Sequence, residues 1–258
     1  MFSRLKYIFL FPALLFSFSG FSQLNDAQSN LDAGKDLNVL YRNEANFGLL
    51  AHSSGVGFNF RRCRRITGTK KGIMEMEFVN MKSPKEVKVS NPNFDNSKGF
   101  VYGKMNAFQI LRPGVGYQQV LFEKAERKSV EIRLGTYVGC ALGITKPIYL
   151  EILHEIKGQN GNYTLSEEQY KPNEHYIDDI YGRAPYHIGL SQTRIHPGGY
   201  AKLALSFEYA DFHDDVKSIE TGVILDAFPN QIPIMAFNKN QQFFLTFYVS
   251  MIYGKKWL

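Results

Sequence analysis

The chain has 258 residues and a formal net charge of +6, with 21 Phe and 15 Tyr but a single Trp. This length suits one sizeable domain, and the many aromatic residues favour β-strands. The basic residues do not gather into one long stripe, which argues against nucleic acid as a partner. The sequence contains no H-E-x-x-H, G-x-S-x-G, P-loop or dinucleotide-binding motif, so we expect no cofactor and no catalytic residues of these types.

Residues 1–22 have the pattern of a secretory signal peptide. Arg4 and Lys6 precede the apolar run YIFLFPALLFSF, and the small residues Gly20 and Ser22 follow it. The run is shorter than the roughly 20 residues of a spanning helix, so we predict cleavage near Ser22, with an uncleaved anchor as the alternative. Residues 23–43 are polar and are predicted to form a periplasmic lead-in to a domain at 44–258.

From Ala45 onward, apolar residues recur at every second position, which predicts strands. The closing segment is the clearest case, because alternate residues from Phe243 to Tyr253 are all apolar. A membrane-crossing strand needs roughly 9–11 residues. Ten segments come close to this length: Ala45–His52, Gly55–Thr67, Gly72–Met81, Phe100–Leu111, Val115–Lys124, Lys128–Gly143, Lys146–His154, Pro197–Asp211, Val216–Phe228 and Gln241–Leu258.

The links between these segments differ in length in a regular way. The long links, Lys82–Gly99, Glu155–His196 and Pro229–Asn240, all follow odd-numbered segments. Outer-membrane barrels have short periplasmic turns and long external loops. The sequence therefore predicts an all-β fold, a closed antiparallel up-and-down transmembrane β-barrel of about ten strands with its long loops outside.

Charged residues alternate with the apolar ones, and charge on a lipid-facing surface is costly. We therefore expect the charged side chains to point inward and to form ion pairs in a narrow, occupied lumen. A narrow passive channel is the alternative. The predicted interior network consists of Arg61, Glu75, Glu77, Glu131, Arg133, Glu151, Lys202, Glu208, Glu220 and Asp226.

Two positions test the strand phases. Cys63 and Cys140 fall on opposite faces of the predicted sheet, and a disulfide needs facing Cβ atoms, so we expect two free thiols even in an oxidising compartment. Arg62 and Arg64 alternate with the inward-pointing Arg61 and point outward. They are expected to anchor the barrel at the membrane interface or to contact anionic headgroups or lipopolysaccharide.

The signal peptide, the period-two strands, the loop parity and the ending MIYGKKWL together resemble the small outer-membrane β-barrel proteins of Gram-negative bacteria. The resemblance covers residues 40–258. It implies a location in the cell outer membrane and contact with outer-membrane lipid. It also implies recognition by the barrel-assembly machinery through the aromatic closing strand, with Phe247, Tyr253 and Trp257. Activity does not follow from this fold, which serves many functions.

One predicted external loop holds a cluster of titratable residues, Glu174, His175, Asp178, Asp179 and His187. Such residues could activate water in a hydrolase, bind Ca²⁺ or a transition metal, or simply be solvated. Since no metal-binding motif is present, no metal site is predicted. The leading hypothesis is a non-enzymatic structural or accessory component that contacts another outer-membrane protein through its loops. The alternatives are a barrel hydrolase, a narrow channel and a soluble β-sandwich or lipocalin-like carrier.

Overall fold

The computed structural model describes residues 41–94, 97–123, 129–155, 163–209 and 215–257. The predicted signal peptide and all but the last three residues of the lead-in lie outside these ranges. The described part of the chain contains no helix long and apolar enough to cross a membrane. Its strands are β1 Asn43–His52, β2 Gly55–Arg65, β3 Lys70–Met81, β4 Lys88–Val89, β5 Phe100–Val101, β6 Asn106–Phe122, β7 Glu131–Pro147, β8 Tyr149–Glu155, β9 Tyr163–Gln169, β10 Ile180–Arg183, β11 Arg194–Glu208, β12 Asp215–Ile232 and β13 Gln241–Trp257.

Eight of these strands close into a barrel in the order β1-β13-β12-β11-β7-β6-β3-β2. All neighbouring pairs in it are antiparallel. Closure occurs at β1, where Phe47 lies opposite Tyr253 of β13 and Phe60 of β2. The predicted all-β, closed antiparallel barrel is therefore confirmed, and no barrel strand keeps a free edge.

The predicted number of about ten barrel strands is wrong, because two of the predicted short links between strands do not exist. Arg112-Pro113-Gly114 was predicted as a turn but lies within the single strand β6. Proline has no backbone N–H to donate to a ladder. The β6–β7 register accordingly stops at Leu111↔Leu142 and resumes at Gly114↔Gly139, while β3 keeps its pairing through Met76↔Pro113.

The second false break is at Ile144-Thr145, which lies inside β7. The strand ends only at Pro147, and Tyr149–Glu155 then forms β8 in a separate three-stranded sheet of order β10-β8-β9. Two strands are lost from the predicted count, so the parity of the links is unchanged. The long links 82–105, 148–193 and 233–240 all leave the barrel at one end, the loop end. The first and last strand residues, Asn43 and Trp257, pair with each other at the opposite end, the terminus end.

The outer wall of the barrel is apolar and exposed, while alternate residues are buried inside. In β13 the pattern is strict: Phe247 is 62% exposed, whereas its neighbour Tyr248 is 2% exposed. Cys63 is buried and Cys140 is exposed, which confirms that they lie on opposite faces, and both are free thiols. The exposed apolar residues on the wall include Leu49, Val56, Phe58, Met74, Met76, Val115, Val138, Leu203, Leu225, Phe243, Leu245 and Met251.

Candidate functional site

The centre of the barrel holds a compact ion-pair network. The guanidinium of Arg61 donates through both terminal nitrogens to the carboxylate of Glu220, at 2.6 Å each, and through Nε to Glu75 at 2.5 Å. Lys202 Nζ lies 3.1 Å from Glu75 and 2.8 Å from Glu77. The hydroxyl of Tyr248 completes the set by donating to Glu220 Oε1 at 2.6 Å. Glu75 and Glu77 are two residues apart on β3, and both enter the network because alternate residues of a strand share a face.

Arg112 joins this network to Asp226 of β12. Its Nε and Nη2 donate to the two carboxylate oxygens of Asp226 at 2.7 and 2.6 Å, and its Nη1 donates to Glu77 at 2.5 Å. The side chain is fully enclosed, at 1% exposure. Sequence analysis missed Arg112 because it lies beside Pro113 and Gly114, a pair typical of turns. The charge alternation along β6 is otherwise weak, so the sequence contained no competing signal.

A second set of ion pairs fills the terminus end of the lumen. Arg133 pairs with Glu131 and Glu208, each at 2.6 Å, and Lys256 pairs with Glu208 at 2.6 Å. Lys71 pairs with Glu44 beside them. Bidentate and multiple hydrogen bonds of this kind are what allow charges to remain in a closed interior.

The loop end of the lumen is apolar. The rings of Phe108, Phe228 and Phe244 contact one another with centroids 5.3 to 6.0 Å apart. Below them, the charged side chains of Arg61, Glu77, Lys202 and Glu220 are at most 3% exposed. Groups that line a water-filled pore would be accessible to solvent, and these are not. The eight-stranded barrel, called the stem below, is therefore packed at this level.

Nine of the ten residues predicted for the interior network point into the barrel, and the exception is Glu151. It lies on β8, outside the barrel, and pairs with Lys98 at 2.5 Å. The predicted strand at Lys146–His154 placed Glu151 in the lumen because it alternates with the apolar residues Leu150 and Ile152. The structure adds Glu44, Lys71, Arg112 and Lys256 to the inward-pointing charges. The strand alternation also indicates two of these four residues. Lys71 is the next inward position before the predicted segment Gly72–Met81, and Lys256 is an inward position within the closing segment.

The long links fold into a loop platform, formed by β4, β5, β8, β9, β10 and the residues that connect them. It has its own apolar core of Phe100, Leu150, Ile152, Tyr170 and Ile180, against which Val89, Tyr102 and Ile148 pack. Burial and the neighbouring Tyr102 raise the pKa of Tyr170 to about 12. The loops are thus a folded element on top of the stem.

Asn91 ties two parts of the platform together. Its side chain is buried, and its amide nitrogen Nδ2 lies 3.4, 3.0 and 2.9 Å from the backbone carbonyls of Ile177, Asp178 and Ile180. Its Oδ1 accepts the backbone N–H of Asn93 at 2.9 Å. One side chain therefore connects link 82–105 to the residues that lead into β10.

The third long link also joins the platform. The ring of Phe237 stacks on Tyr102 at 6.0 Å, and the N–H of Ala236 donates to the carbonyl of Gly103 at 2.8 Å. Lys104 pairs with Glu86 at 2.6 Å. Link 82–105 consequently contacts both of the other long links.

A small polar cluster lies on the platform between β8, β9 and the link after β9. Glu168 accepts from the hydroxyl of Ser166 at 2.7 Å and lies 2.6 Å from His154 Nε2 and 3.4 Å from His175 Nε2. The hydrogen bond from Ser166, followed by the contact with His154, lowers the pKa of Glu168 to about 2. His175 Nδ1 accepts the N–H of Lys171 at 3.2 Å, so its ring proton is on Nε2, toward Glu168.

The five residues predicted as a loop site do not form one through their side chains. His175 contacts Glu168 and Glu174 pairs with Lys171, whereas no hydrogen bond or ion pair in the described part of the chain joins either of them to Asp178, Asp179 or His187. Within the described ranges there is also no group of three His, Cys, Asp or Glu residues that could hold a metal ion.

The three aromatic residues predicted for assembly recognition, Phe247, Tyr253 and Trp257, all lie on the outward face of β13, at 62, 50 and 40% exposure. Their side chains are accessible from the lipid side of the wall. Their role in assembly stays a prediction.

No family model and no curated protein sequence matches the chain. Among solved structures, it is similar to Neisserial surface protein A, with 11% identity, a TM-score of 0.39, and coverage of 84% of this chain and 97% of that one. It is also similar to Ail, the attachment invasion locus protein of Yersinia pestis, in complex with the heparin analogue sucrose octasulfate. That match has 9% identity, a TM-score of 0.39, and coverage of 84% and 100%.

Both neighbours are small outer-membrane β-barrel proteins of Gram-negative bacteria. The resemblance to this class is confirmed at the level of a closed β-barrel. At such low identity and TM-score the similarity supports no conclusion about this chain.

Proposed function

We propose that the chain is a non-enzymatic outer-membrane barrel, a closed stem that holds the loop platform outside the cell as a structural or accessory component. The observation that carries this proposal is the combination of a packed, charge-paired stem with a platform that has an apolar core of its own. Loops that are folded at one end of a barrel present a fixed surface, which is what recognition of a partner needs.

Two features support the membrane location. The barrel wall exposes a continuous apolar belt, including Leu49, Phe58, Met76, Val138 and Leu245, and soluble monomers rarely expose contiguous apolar surface on this scale. Closure of β1 on β13 pairs the strand edges, as a strand-built structure in lipid requires. With short turns inside and long loops outside, the terminus end faces the periplasm and the loop end faces outward.

The two enzymatic or transport alternatives find less support. A general base works best with a pKa near the operating pH, whereas Glu168, the carboxylate in contact with both His154 and His175, has a pKa of about 2. A passive channel needs an open lumen, whereas the side chains of Arg61, Arg112 and Lys202 are nearly inaccessible.

Site-specific photocrosslinking tests the accessory role in intact cells. A photoreactive residue replaces Tyr176 or Tyr186, both more than 60% exposed on the platform. The matched control replaces Val138, which is equally exposed on the lipid-facing wall. We expect discrete protein adducts from the platform positions and none from Val138. Correctly assembled barrels that give no protein adduct from either platform position would contradict the proposed role.

A further inference from the structure

We propose that the outer wall of the barrel at its terminus end carries a binding site for one anionic phospholipid, held by Arg42, Arg62 and Arg64 over a groove at Gly72. The inference rests on the proposed membrane location, because a lipid reaches this wall only if the barrel is embedded. It adds a ligand and a specific site on the stem, away from the platform.

Arg62 and Arg64 are exposed on the outside of the barrel, and Arg42, exposed at its end, lines the same groove. Arg62 and Arg64 alternate along β2 with the buried Arg61 and Cys63, and Arg42 directly precedes β1. The register places Arg64 opposite Asn43, the residue next to Arg42. None of the three guanidinium groups makes an ion pair or hydrogen bond within the described ranges, whereas Arg61, Arg112 and Arg133 inside the barrel are all paired.

A groove runs beside these arginines, lined by Gly72, an outward position on β3 without a side chain, and by the side chain of Ile66 next to it. Gly72 lies between Arg64 on β2 and Tyr117 on β6 in the register. One residue pair further along, Arg62, Met74 and Val115 lie side by side. The resulting depression has a volume of about 610 Å³, within the range of small-molecule sites.

The lining of the groove is cationic at one end and apolar along its walls. Ile66, Met74, Val115 and Tyr117 provide the walls, and no carboxylate is among the lining residues. Guanidinium groups bind phosphate oxygens through two parallel hydrogen bonds, and the apolar walls match an acyl chain. A phospholipid with a net negative headgroup satisfies both parts of the site.

The position of the groove along the barrel indicates which leaflet of the outer membrane supplies the lipid. It lies at the end that carries the chain termini and the short turns, which the proposed orientation places at the periplasmic face. The ligand is therefore a phospholipid of the inner leaflet. Lipopolysaccharide, one of the two ligands expected for Arg62 and Arg64 from the sequence, would lie at the other end of the stem.

Native mass spectrometry of the full chain in detergent, titrated with phosphatidylglycerol or phosphatidylcholine, tests the site. A basic residue at an anionic membrane surface contributes about 1 kcal/mol, so we expect Arg64→Ala to weaken phosphatidylglycerol binding roughly fivefold and R62A/R64A roughly thirtyfold. Gly72→Leu keeps every charge but fills the groove, and we expect it to weaken binding as well.

Lys217→Ala is the matched control, because Lys217 is an exposed cation on the outer face of β12, near the same end but away from the groove. It should leave phosphatidylglycerol binding unchanged. Equal weakening by Lys217→Ala and Arg64→Ala, or equal binding of the two lipids by the unmodified chain, would overturn the inference. If Gly72→Leu does not fold, the comparison of the two single charge variants still decides the outcome.

The same preparation separates the two proposals. A chain that stays in solution without detergent would refute the membrane location and the lipid site together. A detergent-dependent, folded barrel with no lipid preference would refute the lipid site alone.

Discussion

At the scale of single residues, the charges of the interior network contact oppositely charged partners. Arg112 contacts Asp226 and Glu77 in an enclosed position. We expect Arg112→Met to destabilise the barrel by about 3–5 kcal/mol, because it leaves the buried carboxylate of Asp226 without a counter-charge and removes one of the two cations at Glu77. The double variant Arg112→Met with Asp226→Leu should lose less than the sum of the two single variants. Urea unfolding in lipid vesicles measures the three free energies.

Lys217, exposed on the outer face of β12, is the control for this cycle, and Lys217→Met should change stability by less than about 0.5 kcal/mol. Additive single effects of Arg112→Met and Asp226→Leu would contradict the bidentate contact.

Glu168 provides a residue-scale prediction for pH. Its carboxyl has a pKa of about 2 in the folded protein, below the ordinary value of 4.5. The stabilisation it contributes is therefore complete above about pH 4.5 and is lost as the pH falls through about 2. We expect Ser166→Ala to remove the largest cause of the shift and to raise the pKa of Glu168.

Carboxyl titration by NMR on the labelled protein measures this value. Thr164→Ala makes the same kind of change on the same face of β9 and should leave the titration of Glu168 as it is. A normal midpoint for Glu168 in the unmodified protein would rule out the arrangement around Ser166 and His154.

At the scale of elements, one amide side chain links two long loops. Asn91 donates to backbone carbonyls at 177–180, and Asn91→Ala removes these hydrogen bonds, including the buried one to Ile180. The expected cost is about 1–3 kcal/mol, localised to the platform, because the stem is held by its own strand pairs. Hydrogen exchange should speed up in β10 and β5 and remain slow in β13.

Asn93→Ala is the control for the platform, since Asn93 is exposed and engages Asn91 only through its backbone N–H. Faster exchange throughout β13 in the Asn91 variant would show that platform and stem unfold together.

At the scale of the whole molecule, the two thiols report on the two sides of the wall. Cys140 is exposed on the outer face of β7. Cys63 is buried on the inner face of β2, where the side-chain amide of Asn46 contacts its sulfur at 3.6 Å. In vesicles, a lipid-soluble maleimide should modify Cys140 and leave Cys63 unmodified until the barrel is unfolded. Single-thiol variants with Ser at the other position assign the labelling, and similar rates at both thiols would contradict the closed interior.

The sequence by itself determined which side chains face inward and which face outward. That information is local, because the strand period of two depends only on backbone geometry. It was sufficient for the faces of Cys63 and Cys140, for the inward position of nine charged residues and for the end of the barrel that carries the long links. The barrel has two strands fewer than predicted, an even difference. The long links therefore still fall at the predicted end, although the number of strands was wrong.

Only the tertiary structure decided where a strand continues and what it pairs with. Pro113-Gly114 has the local signal of a turn and Ile144-Thr145 was predicted as a short link, but the neighbouring strands β3 and β11 hold both segments extended. The same dependence on distant partners placed Arg112 inside the barrel and Glu151 outside it. The platform core and the contacts of Asn91 likewise join residues far apart in the chain, and such pairings are set by packing between elements, which no sequence period records.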